Sequence, residues 1–220
     1  LALFLTGCSS GGSESPPPKE IYILIGQSNL TQSDHGRSYD YKCDAYGDNG
    51  WVKASTPLIQ YSSIKRYTKV ERVGIADGFA EAICKNGTGL IIHAMGGMDI
   101  DEIAPHTEPY RLLLSKLDQI GSYTIKAFIW HQGEGNREDS QYSNKLLHLI
   151  ESLRADTQDA PFIIGEIYGE SVVNEQIRMM PYMTENINVV TAEGLTTHDN
   201  VHFTENSALE YGYRYAILAE

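Results

Sequence analysis

Two stretches at opposite ends of the sequence carry residues able to do nucleophilic chemistry together. Near the start, Gly26-Gln27-Ser28-Asn29 sets a serine in a polar turn. Near the end, Asp199-Asn200-Val201-His202 spaces a carboxylate three residues ahead of an imidazole. A serine hydroxyl needs a base to take its proton, and the base must be held in one tautomer by an acceptor. Ser28 is the candidate nucleophile, His202 the candidate base and Asp199 the candidate orienter. In a tight loop, a carboxylate at that spacing reaches the inner imidazole nitrogen. A turn containing serine is otherwise ordinary surface, and a lone histidine is more often structural. The two stretches matter only if the fold joins them.

Attack on a carbonyl also needs donors for the oxyanion. Gly96-Gly97 lets the backbone approach a ligand closely, with an N–H exposed. Gln132 offers an uncharged side-chain amide, and the Ser28 N–H is a third donor. Glu134 is a second candidate for orienting His202. It should not face an oxyanion, because like charges repel.

The elements that would position these groups follow from hydrophobic patterning. Ile21 to Ile25 is a continuous apolar run, as in a strand covered on both faces. Residues 88–94, 124–130, 161–165 and 187–191 read as four more buried strands. Between them, helical periodicity predicts helices near 73–86, 108–120, 138–155 and 171–183, with a last one from about Glu205 and Thr204 as its N-cap. Residues 30–70 read as a long polar loop rich in aromatic rings, with a turn signal at Gly47-Asp48-Asn49-Gly50. Strand and helix alternating five times predicts a three-layer α/β/α sandwich with a five-stranded parallel sheet, flavodoxin-like. The turns holding Ser28, Gly97, Gln132 and His202 would then share the carboxyl edge of one sheet.

Four ordered blocks resemble the SGNH hydrolases, and more closely their carbohydrate esterase branch, which includes acetylxylan esterases of family six and sialate O-acetylesterases. Gly26-Gln27-Ser28-Asn29 resembles the nucleophile block. Ala94-Met95-Gly96-Gly97 resembles the second, with Gly97 as the oxyanion glycine. Trp130-His131-Gln132-Gly133-Glu134 resembles the third, and Asp199-Asn200-Val201-His202 the closing Asp-x-x-His. The resemblance runs from about residue 20 to the end. It implies a serine esterase that removes acetyl groups from an oligosaccharide or polysaccharide, without cofactor or metal. Leu30-Thr31-Gln32 stands where the family commonly has Met-x-Gly, and Met98 where a Thr often follows the double glycine. Both differences bear on the acyl or sugar pocket.

The totals bound the partners. The 220-residue chain is 41% hydrophobic and carries a formal net charge of −12. That charge argues against a nucleic-acid partner, whose phosphates are neutralised by Lys and Arg. Leu1 to Leu5 is apolar, and Leu5-Thr6-Gly7-Cys8 resembles a bacterial lipobox, with lipid carried on Cys8. A Gly/Ser-rich then Pro-rich tether follows to residue 19. Residues 1–19 are thus expected to be signal and tether and 20–220 the esterase domain, in a lipoprotein anchored at the periplasmic or cell surface. Cys43 and Cys84 either pair in an oxidising compartment or stay as separate buried thiols.

Other chemistries fit less well. Gly26-Gln27-Ser28-Asn29-Leu30 lacks the last glycine of a G-x-S-x-G elbow. His198 and His202 flank Asp199 in the manner of a zinc-binding H-E-x-x-H, but Thr196, Thr197, Asn200 and Val201 disfavour the helix that motif needs. A non-catalytic alternative is a surface lipoprotein that binds glycans through the aromatic loop, whose rings serve packing equally well.

Overall fold

The computed structural model describes residues 17–32, 36, 38–64 and 72–220. Cys8 and the lipobox-like N-terminus lie outside the described residues, as does Tyr67 of the aromatic loop. Among the described residues the sheet has seven strands: β1 (Glu20–Gly26), β2 (Asp40–Gly47), β3 (Gly50–Ser55), β4 (Thr88–Ala94), β5 (Thr124–His131), β6 (Phe162–Gly165) and β7 (Ile187–Val190). Six α-helices accompany it among the described residues: α1 (Ser28–Thr31), α2 (Ile75–Ile83), α3 (Glu108–Gln119), α4 (Tyr142–Asp156), α5 (Val172–Met183) and α6 (Glu205–Ala219).

The strand order is β3-β2-β4-β1-β5-β6-β7, and β3 runs antiparallel to β2 while the other pairings are parallel. The expected five-stranded parallel sheet is therefore corrected to a mixed sheet of seven. The five strands read from the sequence form the β4-β1-β5-β6-β7 part, which taken alone follows the flavodoxin order 2-1-3-4-5. The extra pair lies within the stretch read as a loop. In β2 every second residue is buried, namely Tyr41, Cys43 and Ala45, an alternation proper to a strand near a sheet edge. Its turn at Asp48-Asn49 is the one signalled in the sequence.

The non-alternating run of β1 divides between two cores. Tyr22 and Leu24 pack with residues of α2 and α6 on one face. Ile21, Ile23 and Ile25 pack with residues of α3, α4 and α5 on the other. β1 is flanked by β4 and β5, so its carboxyl end lies where the order of the parallel strands reverses, the place open α/β sheets bind ligands. Gly26 is required there by proximity rather than by a bend: a Cβ would lie 2.1 Å from the His131 carbonyl oxygen at the end of β5. The aromatic rings of the 39–61 stretch pack on one another and into the cores, with Tyr39 stacked on Tyr41 and Tyr46 edge-on to Trp51.

Candidate active site

Ser28 is the first residue of α1, immediately beyond β1, and is 6% exposed. His202 lies in the loop between β7 and α6. Its Nε2 is 2.9 Å from Ser28 Oγ and its Nδ1 is 2.7 Å from Asp199 Oδ2. The other carboxylate oxygen, Asp199 Oδ1, accepts from the backbone N–H groups of His202 at 2.6 Å and Val201 at 2.9 Å. The loop is thus wound around the carboxylate, with Asn200 in the left-handed region at φ 67°. Burial opposes the charge on Asp199, but the hydrogen bonds from the His202 ring and the two N–H groups outweigh it. They hold the carboxyl well below the usual range. An anion at this position keeps the Nδ1 proton of His202 in place and leaves the Nε2 lone pair facing Ser28.

These groups open onto a cleft of about 410 Å³ lined by Gln27, Ser28, Thr31, Gln32, Ile59, Gly96, Gly97, Glu134, Gly135, Val201 and His202. Gly97 has φ 66°, and a Cβ there would meet nothing within 4 Å, so its backbone borders open space. Ser28, Gly97, Asp199 and His202 are brought together as the topology demands.

Gln132 is not positioned to act as an oxyanion donor. It is fully buried, and its amide donates to the Met98 carbonyl at 2.8 Å and to Asn136 Oδ1 at 2.7 Å. An amide has two N–H hydrogens, and both are committed. Its oxygen accepts from Tyr142 Oη at 2.9 Å. Gln132 braces the loops after β4 and β5 from below. Glu134 likewise does not orient His202, whose Nδ1 is taken by Asp199. Glu134 Oε1 accepts from Asn29 Nδ2 at 2.5 Å and lies 3.2 Å from His131 Nε2. Burial would raise the Glu134 carboxyl, but His131 and the hydrogen bonds from His131 and Asn29 bring it below its ordinary value. It is a buried carboxylate beneath the nucleophile turn.

Asn29 is the residue of the candidate site that sequence reasoning missed. The second hydrogen of its amide goes to the Val201 carbonyl at 2.9 Å, and its Oδ1 accepts from the Phe203 N–H at 3.0 Å. The residue after the nucleophile therefore grips the backbone on both sides of the base. Its adjacency to Ser28 was the available signal.

The chain is similar to known proteins. The family model described as carbohydrate esterase, sialic acid-specific acetylesterase, matches residues 18–219. Probable carbohydrate esterase At4g34215 of Arabidopsis thaliana is 27% identical over 240 residues, covering 90% of each chain. The crystal structure of that Arabidopsis thaliana protein superposes with a TM-score of 0.79 at 24% identity, over 92% of this chain and 98% of that one. The structure of NanS gives a TM-score of 0.67 at 15% identity, over 93% of this chain and 98% of NanS. The two structures share the fold.

Proposed function

The chain belongs to the sialic acid-specific acetylesterase family of carbohydrate esterases, and from that premise we propose that it is a serine esterase removing O-acetyl groups from carbohydrates, of acetylxylan or sialate type, through an acyl-enzyme. The observation that carries this reading is the unbroken relay from Asp199 through His202 to Ser28 at the mouth of the cleft. His202 Nε2 accepts the Ser28 proton as Oγ attacks the acetyl carbonyl. The oxyanion is held by the backbone N–H groups of Ser28 and Gly97. Collapse of the tetrahedral adduct expels the sugar oxygen, which takes the proton back from His202. Water, deprotonated by His202, then attacks the acetyl-serine and releases acetate. Asp199 stays anionic throughout and stabilises the imidazolium. Ser28→Ala is expected to abolish acetate release from a panel of acetylated glycans while leaving the thermal unfolding midpoint near wild type. Unchanged hydrolysis by that variant would remove the esterase reading.

We further propose that the protein is exported and anchored through lipid on Cys8, at the periplasmic or cell surface. The bond between Cys43 and Cys84 supports an oxidising compartment. Among the described residues no helix is long and apolar enough to cross a membrane. Cys8→Ala should move the protein from the membrane to the soluble fraction, and retention in the membrane would argue against the anchor.

A further inference from the structure

His198 lies outside the relay of Ser28, His202 and Asp199, yet the loop sets it beside the base. Thr197 and Phe203 form an antiparallel bridge, and the His198 N–H donates to the His202 carbonyl at 3.0 Å. The two imidazoles stack, with centroids 5.8 Å apart and planes 17° from parallel. A zinc-binding H-E-x-x-H brings its rings to one face with a helix; here a closed loop does it instead. One ligand atom from each of His198, Asp199 and His202 lies within 4.8 Å of the others. In a tetrahedral zinc site with bonds near 2 Å, neighbouring ligand atoms are about 3.3 Å apart, so the set has to draw together by no more than about 1.5 Å. His198 and Asp199 are exposed, which gives an ion direct entry from solvent.

We propose that His198, Asp199 and His202 form an inhibitory site for a transition-metal dication such as Zn²⁺. Two imidazoles and a carboxylate suit zinc, copper or nickel rather than magnesium or calcium. The net charge of −12 concentrates cations around the molecule. The inference rests on the esterase reading, and the inhibition follows from proton bookkeeping on His202. A neutral imidazole has one lone pair, which hydrolysis needs at Nε2. A metal on Nε2 occupies that pair directly. A metal on Nδ1 displaces the proton there, and the neutral ring then carries its hydrogen on Nε2. In either case the ring cannot take the Ser28 proton, and Asp199 is drawn from its orienting role.

The test uses the full chain after chelator treatment, with 4-nitrophenyl acetate as substrate. Zn²⁺ is expected to inhibit reversibly, with recovery on adding chelator, and Mg²⁺ at the same concentration to have no effect. His198→Ala should keep the basal rate and raise the half-inhibiting Zn²⁺ concentration by roughly tenfold or more, since a ligand is lost. Calorimetry of Zn²⁺ binding to Ser28→Ala, which retains all three ligands, should show one site that disappears when His198→Ala is added. Equal inhibition of wild type and His198→Ala, or no zinc bound by Ser28→Ala, overturns the proposal. The calorimetric arm needs no turnover, so it decides the metal site even if the esterase reading fails.

Discussion

Asn29 uses every hydrogen-bonding group of its side chain to join the nucleophile turn to the base loop. Its partners are Glu134 Oε1, the Val201 carbonyl and the Phe203 N–H. Asn29→Ala would remove one of the two partners of Glu134 Oε1, leaving His131, and would leave the buried Phe203 N–H without its acceptor. Hydrogen bonds to charged groups contribute about 1.5–3 kcal/mol, so a stability loss of about 2 kcal/mol is expected in urea unfolding. Because the loop carrying His202 loses its tether, kcat should fall roughly tenfold or more, with KM little changed. A variant with normal kcat would show that Asn29 does not position the base. Asn29→Asp is the sharper change: it sets a carboxylate against Glu134, and two such groups cannot both ionise at this distance. The pair's apparent pKa is raised above the unfolded value, so folded stability is present at low pH and lost as pH rises through the raised value. The stability gap between Asn29→Asp and wild type should therefore widen from pH 5 to pH 8. The meeting of Ser28, His202 and Asp199 is legible in the sequence because a serine, an imidazole and a carboxylate at that spacing are the types a relay requires. Asn29 and Gln132 are not, because an amide donates and accepts alike and only the fold decides whom it meets. The amide assigned to the oxyanion holds loops, while the one assigned to a turn holds the site.

At the scale of elements, three glycines link the two halves of the site by close backbone contact. A Cβ on Gly74 would lie 2.5 Å from the Thr31 carbonyl carbon, at the end of α1. A Cβ on Gly78 would lie 2.2 Å from the Leu209 carbonyl oxygen, and one on Gly212 would lie 2.3 Å from the Ile75 carbonyl oxygen. Helix α2 is thereby pressed both against the nucleophile turn and against α6, which begins just after His202. Glycine inside a helix costs about 1 kcal/mol relative to alanine, so Gly212→Ala would stabilise an isolated helix. Here the added methyl meets fixed backbone, and overpacking costs about 1–3 kcal/mol. The second effect should win: Gly212→Ala is expected to lower stability and, by shifting α6, to reduce kcat. A gain in thermal stability would show that the helices can part without cost. Elements with a strong period were legible: the 88–94 strand matches β4, and helix starts fall within a few residues of α2, α3, α4, α5 and α6. The β2–β3 hairpin was not, since all its apolar residues but Val52 are small or aromatic and its polar positions read as loop. Alternation at Tyr41, Cys43 and Ala45, followed by Asn49-Gly50, was the available signal.

For the molecule as a whole, that hairpin is the part least secured by the sheet. β2 pairs with β4 through only Asp44↔Gly89 and Ala45↔Leu90, whereas β1 pairs with β4 over seven positions. Other ties supplement the ladder. Lys116 Nζ donates to the carbonyls of Tyr46 and Tyr61, and Trp51 lies against Gly89. The covalent tie is Cys43–Cys84, which joins β2 to the C-cap of α2 across a sequence separation of 41. In the chain-entropy account, closing a loop of that length removes about 4 kcal/mol of unfolded-state freedom. For a chain of this size 1 kcal/mol shifts the unfolding midpoint by about 2–4 °C, so the bridge should be worth roughly 10 °C. Reduction, or the pair Cys43→Ser and Cys84→Ser, is expected to lower the midpoint by that order. The relay of Ser28, His202 and Asp199 stands on β1 and on the loop after β7, so kcat at low temperature should survive. Ile59, just beyond the hairpin, lines the cleft, so the change should fall on KM. Thiol counting on the denatured, unreduced protein checks the premise directly. Two more titratable thiols after reduction than before are expected, and an unchanged count together with an unchanged midpoint would show that the hairpin is held without the bond.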